Sequence, residues 1–212
     1  MQLKDEENFK TKYGSWKSTI LQKIDTILKT GEVDNISADL EAVAIENLTK
    51  IPGIGPTKAS ELYRDEEITT IPELKELYSI NKKIINEKQA IGLKHFNDLQ
   101  KRIPRTEMDN WKEILTETFD KTLEELGETG KLVITGSYRR ETPDSGDIDA
   151  MITTNSYNKD LMNKFYNNLI TKNIISSDNV LSKGPIKIMA IASVDEIYRH
   201  LDIFYYTADI YP

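Results

Sequence analysis

Gly136-Ser137-Tyr138-Arg139-Arg140-Glu141-Thr142-Pro143-Asp144-Ser145-Gly146-Asp147-Ile148-Asp149-Ala150-Met151 is the stretch that decides how this chain is read. A Gly-Ser turn is followed, about one strand later, by aspartates at i and i+2. Side chains on a strand alternate with a period of two, so Asp147 and Asp149 share a face, opposite Ile148, Ala150 and Ile152. Carboxylates held that close repel unless a cation lies between them. Hard divalent ions such as Mg²⁺ choose oxygen ligands and leave positions open for substrate phosphates. Gly136, Ser137, Arg139 and Arg140 offer N–H, hydroxyl and guanidinium donors suited to a phosphate tail. A pair of aspartates alone is also what a charged strand edge looks like. Joined to the Gly-Ser turn at this distance, it reads as a metal site for nucleotidyl transfer.

A two-metal site needs another carboxylate. The segment Arg199-His200-Leu201-Asp202-Ile203-Phe204-Tyr205 supplies one, since Asp202 stands between apolar Leu201 and Ile203 that face the other way. A lone acid on an apolar strand is a satisfied core group or a ligand, and the earlier pair favours the ligand.

Working outward, Lys131 to Thr135 and Asp147 to Thr154 read as strands, followed by a helix near Lys159 to Thr171. Further strands are expected near Ile186 to Ala192 and Arg199 to Tyr206. A helix from about Glu107 to Leu126, stopped by Gly127, precedes them. Residues 45–104 read as helices broken at Ile51-Pro52-Gly53-Ile54-Gly55-Pro56, at Ile71-Pro72 and at Ile103-Pro104. A polar stretch at Ser37 to Glu41 separates them from a helix at residues 16–29, where Ile20, Ile24, Ile27 and Leu28 have helical spacing. The fold class expected is α+β: N-terminal helices, then a mixed sheet with flanking helices. The expected division is 1–44, 45–104 and 105–212.

The 212 residues, 38% hydrophobic and 30% charged, suit an ordinary globular protein. No apolar run is long enough to span a bilayer and the first residues lack a signal-peptide core, so no membrane partner is expected. The absence of cysteine favours an intracellular setting, nuclear or cytoplasmic. The net charge of −7 argues weakly against nucleic acid. Its distribution argues otherwise: Lys82, Lys83, Lys88, Lys94, Lys101, Arg102 and Arg105 face only Glu87 and Asp98, a local +5 that leaves −12 elsewhere. Lysine outnumbers arginine 22 to 6, which hints at an AT-rich viral or microbial genome.

Gly-Ser-Tyr-Arg-Arg-Glu and Ser-Gly-Asp-Ile-Asp, with Asp202 downstream, resemble the palm of beta-like family X DNA polymerases. Leu48-Thr49-Lys50-Ile51-Pro52-Gly53-Ile54-Gly55-Pro56-Thr57-Lys58-Ala59 is similar to the family's second helix-hairpin-helix. Ile91-Gly92-Leu93-Lys94-His95-Phe96 and Lys101-Arg102-Ile103-Pro104-Arg105 resemble the segment joining hairpin to palm, and Leu181-Ser182-Lys183-Gly184 a palm loop. The resemblance implies a nucleotidyltransferase palm with a helix-hairpin-helix before it. It implies repair-type DNA polymerisation, in which a primer 3′-hydroxyl attacks the α-phosphate of a dNTP in short gaps. Asp147 and Asp149 would then bridge two Mg²⁺ ions, and Asp202 would complete the catalytic one. Ser137, Arg140, Ser145 and Gly146 would bind the triphosphate, with Arg102 approaching its end.

By the same resemblance, Gly53, Gly55, Lys58 and Lys187 would contact DNA without reading bases. Gly53 and Gly55 would allow a tight turn that presents N–H groups to phosphate. Main-chain carbonyls of Thr49, Ile51 and Ile54 would hold Na⁺ or K⁺. His200 and Phe204 stand where the family usually carries arginines. Lys23 matches the Schiff-base lysine of the family's lyase domain, but the hairpin glycines around it are lost, so lyase activity is not expected. The chain stops ten residues after Asp202, where the family continues into a thumb. A monomer is expected, with weak and unfaithful extension. Two rivals stay open: a template-independent nucleotidyltransferase, and a non-catalytic DNA-binding piece.

Overall fold

The computed structural model describes residues 36–207, so the expected helix at 16–29 and Lys23 lie outside the described residues. Five helices come first: α1 (Ile36–Thr49), α2 (Pro56–Glu66), α3 (Ile71–Ile80), α4 (Glu87–Lys94) and the single turn α5 (Phe96–Leu99). The two-residue strand β1 (Ile103–Pro104) leads into α6 (Arg105–Leu126). Then follow β2 (Gly130–Ile134), the short α7 (Gly136–Arg139), β3 (Asp144–Ser145), β4 (Ile148–Thr154), α8 (Leu161–Thr171), β5 (Ile175–Lys183), β6 (Lys187–Val194) and β7 (Ile197–Thr207).

Two apolar clusters hold these elements. Leu48, Ile51, Ile54, Leu62, Leu74 and Leu93 gather the early helices around one core. Trp111, Leu115 and Phe119 of α6 meet Phe165 and Leu169 of α8 over Ile148, Ala150, Ile152, Leu201 and Ile203 of the sheet in the other. The α6 stripe at 108, 111, 115 and 119 is the i, i+3/i+4 pattern that buries one helical face. Gly127 ends that helix in the left-handed region at φ 64°, a conformation glycine adopts without a Cβ penalty.

The main sheet is mixed, in the order β2-β4-β7-β6-β5, with β4 and β7 parallel and the other pairs antiparallel. Helices α6 and α8 cover one face. On β4 and β7 buried residues alternate with half-exposed ones, so the other face carries Asp149, Met151, Asp202, Phe204 and Tyr206. A second, two-stranded ribbon pairs Ile103 with Ser145 and Pro104 with Asp144, tying the end of the helical layer to the turn before β4.

Several expectations change. Ser37 to Glu41 is no linker but the first part of α1, which runs through the expected boundary at 44/45 with Ala44 and Leu48 fully buried. Ile71-Pro72 opens a helix instead of breaking one. Thr70 caps it, accepting from the Glu73 N–H while the Glu73 carboxylate takes the Thr70 N–H, and proline is tolerated in a first turn that has no N–H partner to lose. Leu181-Ser182-Lys183 belongs to β5 and not to a loop. That strand was hidden because its register shifts twice against β6, which breaks the alternation a sequence pattern needs. Asp147 sits exposed, one residue ahead of β4.

Candidate active site

Parallel pairing of β4 with β7 sets Asp149 directly beside Asp202 on the open face of the sheet. Next to Asp149, the chain enters α7 through Gly136 at φ 57°. A Cβ built there would lie 2.2 Å from Asp149 Oδ2, so glycine is required both by the backbone angle and by the carboxylate above it. Thr135 donates its N–H to the Asp149 carbonyl at 2.8 Å, which fixes the turn against the strand.

The acids are electrostatically coupled. Burial, and then the charges of Asp147 and Asp202, push the Asp149 carboxyl above the usual aspartate range, with His200 and Arg140 opposing. Asp202 Oδ1 is buried and has no hydrogen-bond partner among the described residues. His200 Nε2 stands 3.4 Å from it, but the geometry is not that of a hydrogen bond and Nε2 is unpartnered as well. Lys187 Nζ lies 3.7 Å from Asp202 Oδ2 and 4.7 Å from the centre of the Phe204 ring. An unmet buried carboxylate oxygen and a repelled neighbour suit a hard cation. Among the described residues, no three acidic or histidine side chains stand in a preformed ligand cluster. The pair 149/202 is set by the sheet, while Asp147 approaches from its exposed position before β4.

The phosphate-type donors converge on the same turn. Ser137 Oγ donates to Ser145 Oγ at 2.8 Å, joining two residues that the sequence separates. Thr142 Oγ1 shares its one hydrogen between the Asp144 carbonyl at 2.7 Å and the Ser137 carbonyl at 3.0 Å, which closes the loop between them. Arg102 reaches across from the helical layer: Nε and Nη2 donate to Asp144 Oδ1 at 3.0 and 2.7 Å. Its Nη1 would lie 3.0 Å from a Cβ added at Gly146. Arg140 is exposed at the end of α7. A hollow of about 310 Å³ opens here, lined by Gly136, Arg139, Arg140, Met151, Phe204 and Tyr206. A larger one, about 450 Å³ between Lys75, Tyr78, Lys94 and Asn179, contains none of these groups.

Two contributors have roles that their place in the sequence does not disclose, although Arg105 lies in the basic run and in the segment resembling the hairpin–palm joint. Arg105 Nη1 donates to the carbonyls of Tyr138 and Thr142, and its guanidinium lies 4.4 Å from the Tyr138 ring centre, bracing the Gly136–Ser145 turn. Arg199, itself buried, grips the half-buried Glu107 in an ion pair.

In the α1–α2 turn, Gly53 takes φ 88°, as a tight turn requires. Gly55 does not: at φ −88° and ψ 173° it is ordinary extended backbone, and nothing lies within 4 Å of a Cβ placed there. Thr49 ends α1, and the side chains of Ile51 and Ile54 are buried in the helical core. The Ile51 carbonyl already accepts the Ile54 N–H at 3.0 Å. Lys58 is paired with Glu61 at 2.8 Å.

Comparison with known proteins decides the family. A model described as DNA polymerase beta palm matches residues 102–208, and one described as the fingers domain of DNA polymerase lambda matches 46–100. The chain belongs to the family X DNA polymerases. Among family X relatives, DNA polymerase lambda of Arabidopsis thaliana is 27% identical over 203 residues, covering 90% of this chain and 36% of that protein. DNA nucleotidylexotransferase of Oncorhynchus mykiss is 24% identical and covers 69% of this chain and 28% of its own length. The ternary gap complex of Leishmania infantum polymerase beta superposes with a TM-score of 0.70 at 26% identity, covering 86% of this chain and 63% of that one. The chain therefore spans about a third of the curated family X relatives it matches.

Proposed function

We propose that this chain carries the nucleotidyl-transfer centre of a repair-type DNA polymerase, adding dNMP to a primer 3′-hydroxyl in short gaps. The observation that carries the reading is the Asp149–Asp202 pairing beside the Gly136 turn. Asp147, Asp149 and Asp202 would hold two Mg²⁺ ions, whose chemistry is to lower the pKa of the 3′-hydroxyl and offset charge on the departing pyrophosphate. Ser137, Ser145, Gly146 and Arg140 bind the triphosphate and hold its α-phosphorus in line with the primer. Arg102 meets the terminal phosphate, leaving Asp144 to do so or bridging the two. The Thr49–Gly55 turn follows the DNA backbone, and the carbonyls of Thr49, Ile51 and Ile54 would hold Na⁺ or K⁺ there, offsetting phosphate charge. Gly53, Gly55 and Lys58 meet phosphates there, and Lys187 lies where the template strand would pass. Binding of this kind is independent of sequence.

The test is extension of a one-nucleotide gap with Mg²⁺ and dNTPs, run beside Asp149→Ala and Asp202→Ala. Incorporation by the native protein and none by either variant is expected; equal incorporation by all three rejects the site. The relationship to a DNA nucleotidylexotransferase gives a second reading, terminal addition without a template. Extension of single-stranded ends as fast as of gaps would favour it. Salt-sensitive DNA binding with no Mg²⁺-dependent turnover would mark a binding module instead.

A further inference from the structure

Arg199 precedes Asp202 by three residues on β7, on the face turned away from the carboxylates, and its side chain is 6% exposed. The guanidinium closes on Glu107 as a fork, with Nε donating to Oε1 at 2.7 Å and Nη2 to Oε2 at 2.8 Å. Its remaining amino group, Nη1, donates to the carbonyls of Asp98 at 3.1 Å and Lys101 at 3.2 Å. Trp111 Nε1 donates to the same Glu107 Oε1 at 3.3 Å. One side chain thus joins β7, the first turn of α6 and the last turn of the helical layer.

Arg199 is buried and Glu107 half-buried, so the cost of desolvation offsets part of the pair's attraction. The guanidinium's four directed bonds, two to Glu107 and one to each carbonyl, also specify an arrangement. The residue arranged is the next one along. Lys101, held through its carbonyl, is followed by Arg102, whose guanidinium lies against Asp144 and Gly146. Ile103 then pairs with Ser145, the partner of Ser137.

We propose that Arg199, anchored by Glu107, is a positioning residue for the nucleotide site, fixing the Asp98–Lys101 carbonyls so that Arg102 is aimed at the phosphate turn. The inference rests on the nucleotidyl-transfer reading above. Arg199 itself touches neither the acids nor the turn; its influence passes through Arg102. A lysine at 199 keeps the charge but loses the fork and the grip on both carbonyls.

The experiment is a double-mutant cycle on Arg199→Lys and Arg102→Ala. It reads the dissociation constant of a Mg²⁺–dNTP on gapped DNA together with the division between KM and kcat. Arg199→Lys alone should weaken nucleotide binding about tenfold, mostly in KM, and should add less than about threefold once Arg102 is alanine. Equal losses in both backgrounds, or no loss in either, overturns the proposal. If Arg199→Lys fails to fold, Glu107→Gln, which keeps the shape but removes the charge, must give the same non-additivity or the proposal falls. Failure of the native protein to bind or incorporate nucleotide would sink the nucleotidyl-transfer reading, a result distinct from an additive cycle.

Discussion

Replacing Gly136 with alanine separates backbone strain from disturbance of the acidic pair. At φ 57° an alanine costs about 1–2 kcal/mol, because Cβ crowds the following carbonyl in the left-handed region. At position 127 the angle is nearly the same, φ 64°, but nothing lies within 4 Å of the added methyl. Both variants should therefore melt roughly 2–8 °C lower than the parent from this cause alone. Only at 136 does the methyl also meet Asp149 Oδ2, at 2.2 Å. Reaching an ordinary contact requires the carboxylate to retreat by about 1 Å, and a displacement of that size costs on the order of 10²-fold in rate. Thermal melts and single-turnover gap filling should accordingly diverge. Gly127→Ala loses stability and keeps its rate, while Gly136→Ala loses both and needs more Mg²⁺. A folded Gly136→Ala protein extending within about threefold of the parent refutes the reasoning, as does an equal loss of rate in Gly127→Ala.

Three further outcomes follow from the same geometry. A Cβ at Gly92 would lie 2.2 Å from the Pro52 carbonyl, so Gly92→Ala should shift the α1–α2 turn and weaken gapped-DNA binding about tenfold by fluorescence anisotropy at fixed salt, with nucleotide affinity kept. The Glu107 carboxyl is held below its ordinary range, first by the Arg199 hydrogen bond. Its stabilising contribution is therefore present above the unfolded value, near 4.3, and lost as pH falls through the folded one; denaturant midpoints of Glu107→Gln should fall less steeply between about pH 5 and 3 than those of the parent. The Asp149 carboxyl is raised by burial and by its acidic neighbours, so folding favours its neutral form and that contribution disappears as pH rises through the folded value. Asp149→Asn should melt higher than the parent at pH 7 in EDTA, yet gain nothing from added Mg²⁺.

The core of the site was legible because it rests on parity. Asp149 and Asp202 each alternate with apolar neighbours, and the period of two assigns both to one face before any pairing is known. Gly127 as a helix stop and Gly53 as a turn were legible for a similarly local reason. What escaped depends on distant partners. Arg199 looks like one more charge on a strand until Glu107 and two carbonyls close around it, and no spacing rule links residue 199 to residue 107. Gly136 could be read as a donor to phosphate, but its role as the seat of Asp149 exists only once β4 lies alongside. Ile71-Pro72 misled because proline marks both breaks and first turns, and the Thr70–Glu73 reciprocal cap decides between them. The strand β5 escaped because its bulges scramble the alternation that would announce it.

Parallel neighbours cannot be joined by a tight hairpin, so β4 waits for β7 until α8, β5 and β6 have been made and threaded past. During synthesis, Asp149 therefore emerges from the ribosome long before the strand that completes its pair. A stalled or clipped product ending between residues 150 and 201 carries the Gly136–Ser145 turn and Asp149 without Asp202, and on the proposed nucleotidyl-transfer reading it would be inactive. On that reading the topology acts as an interlock, completing the acid pair only once the last strand has been delivered.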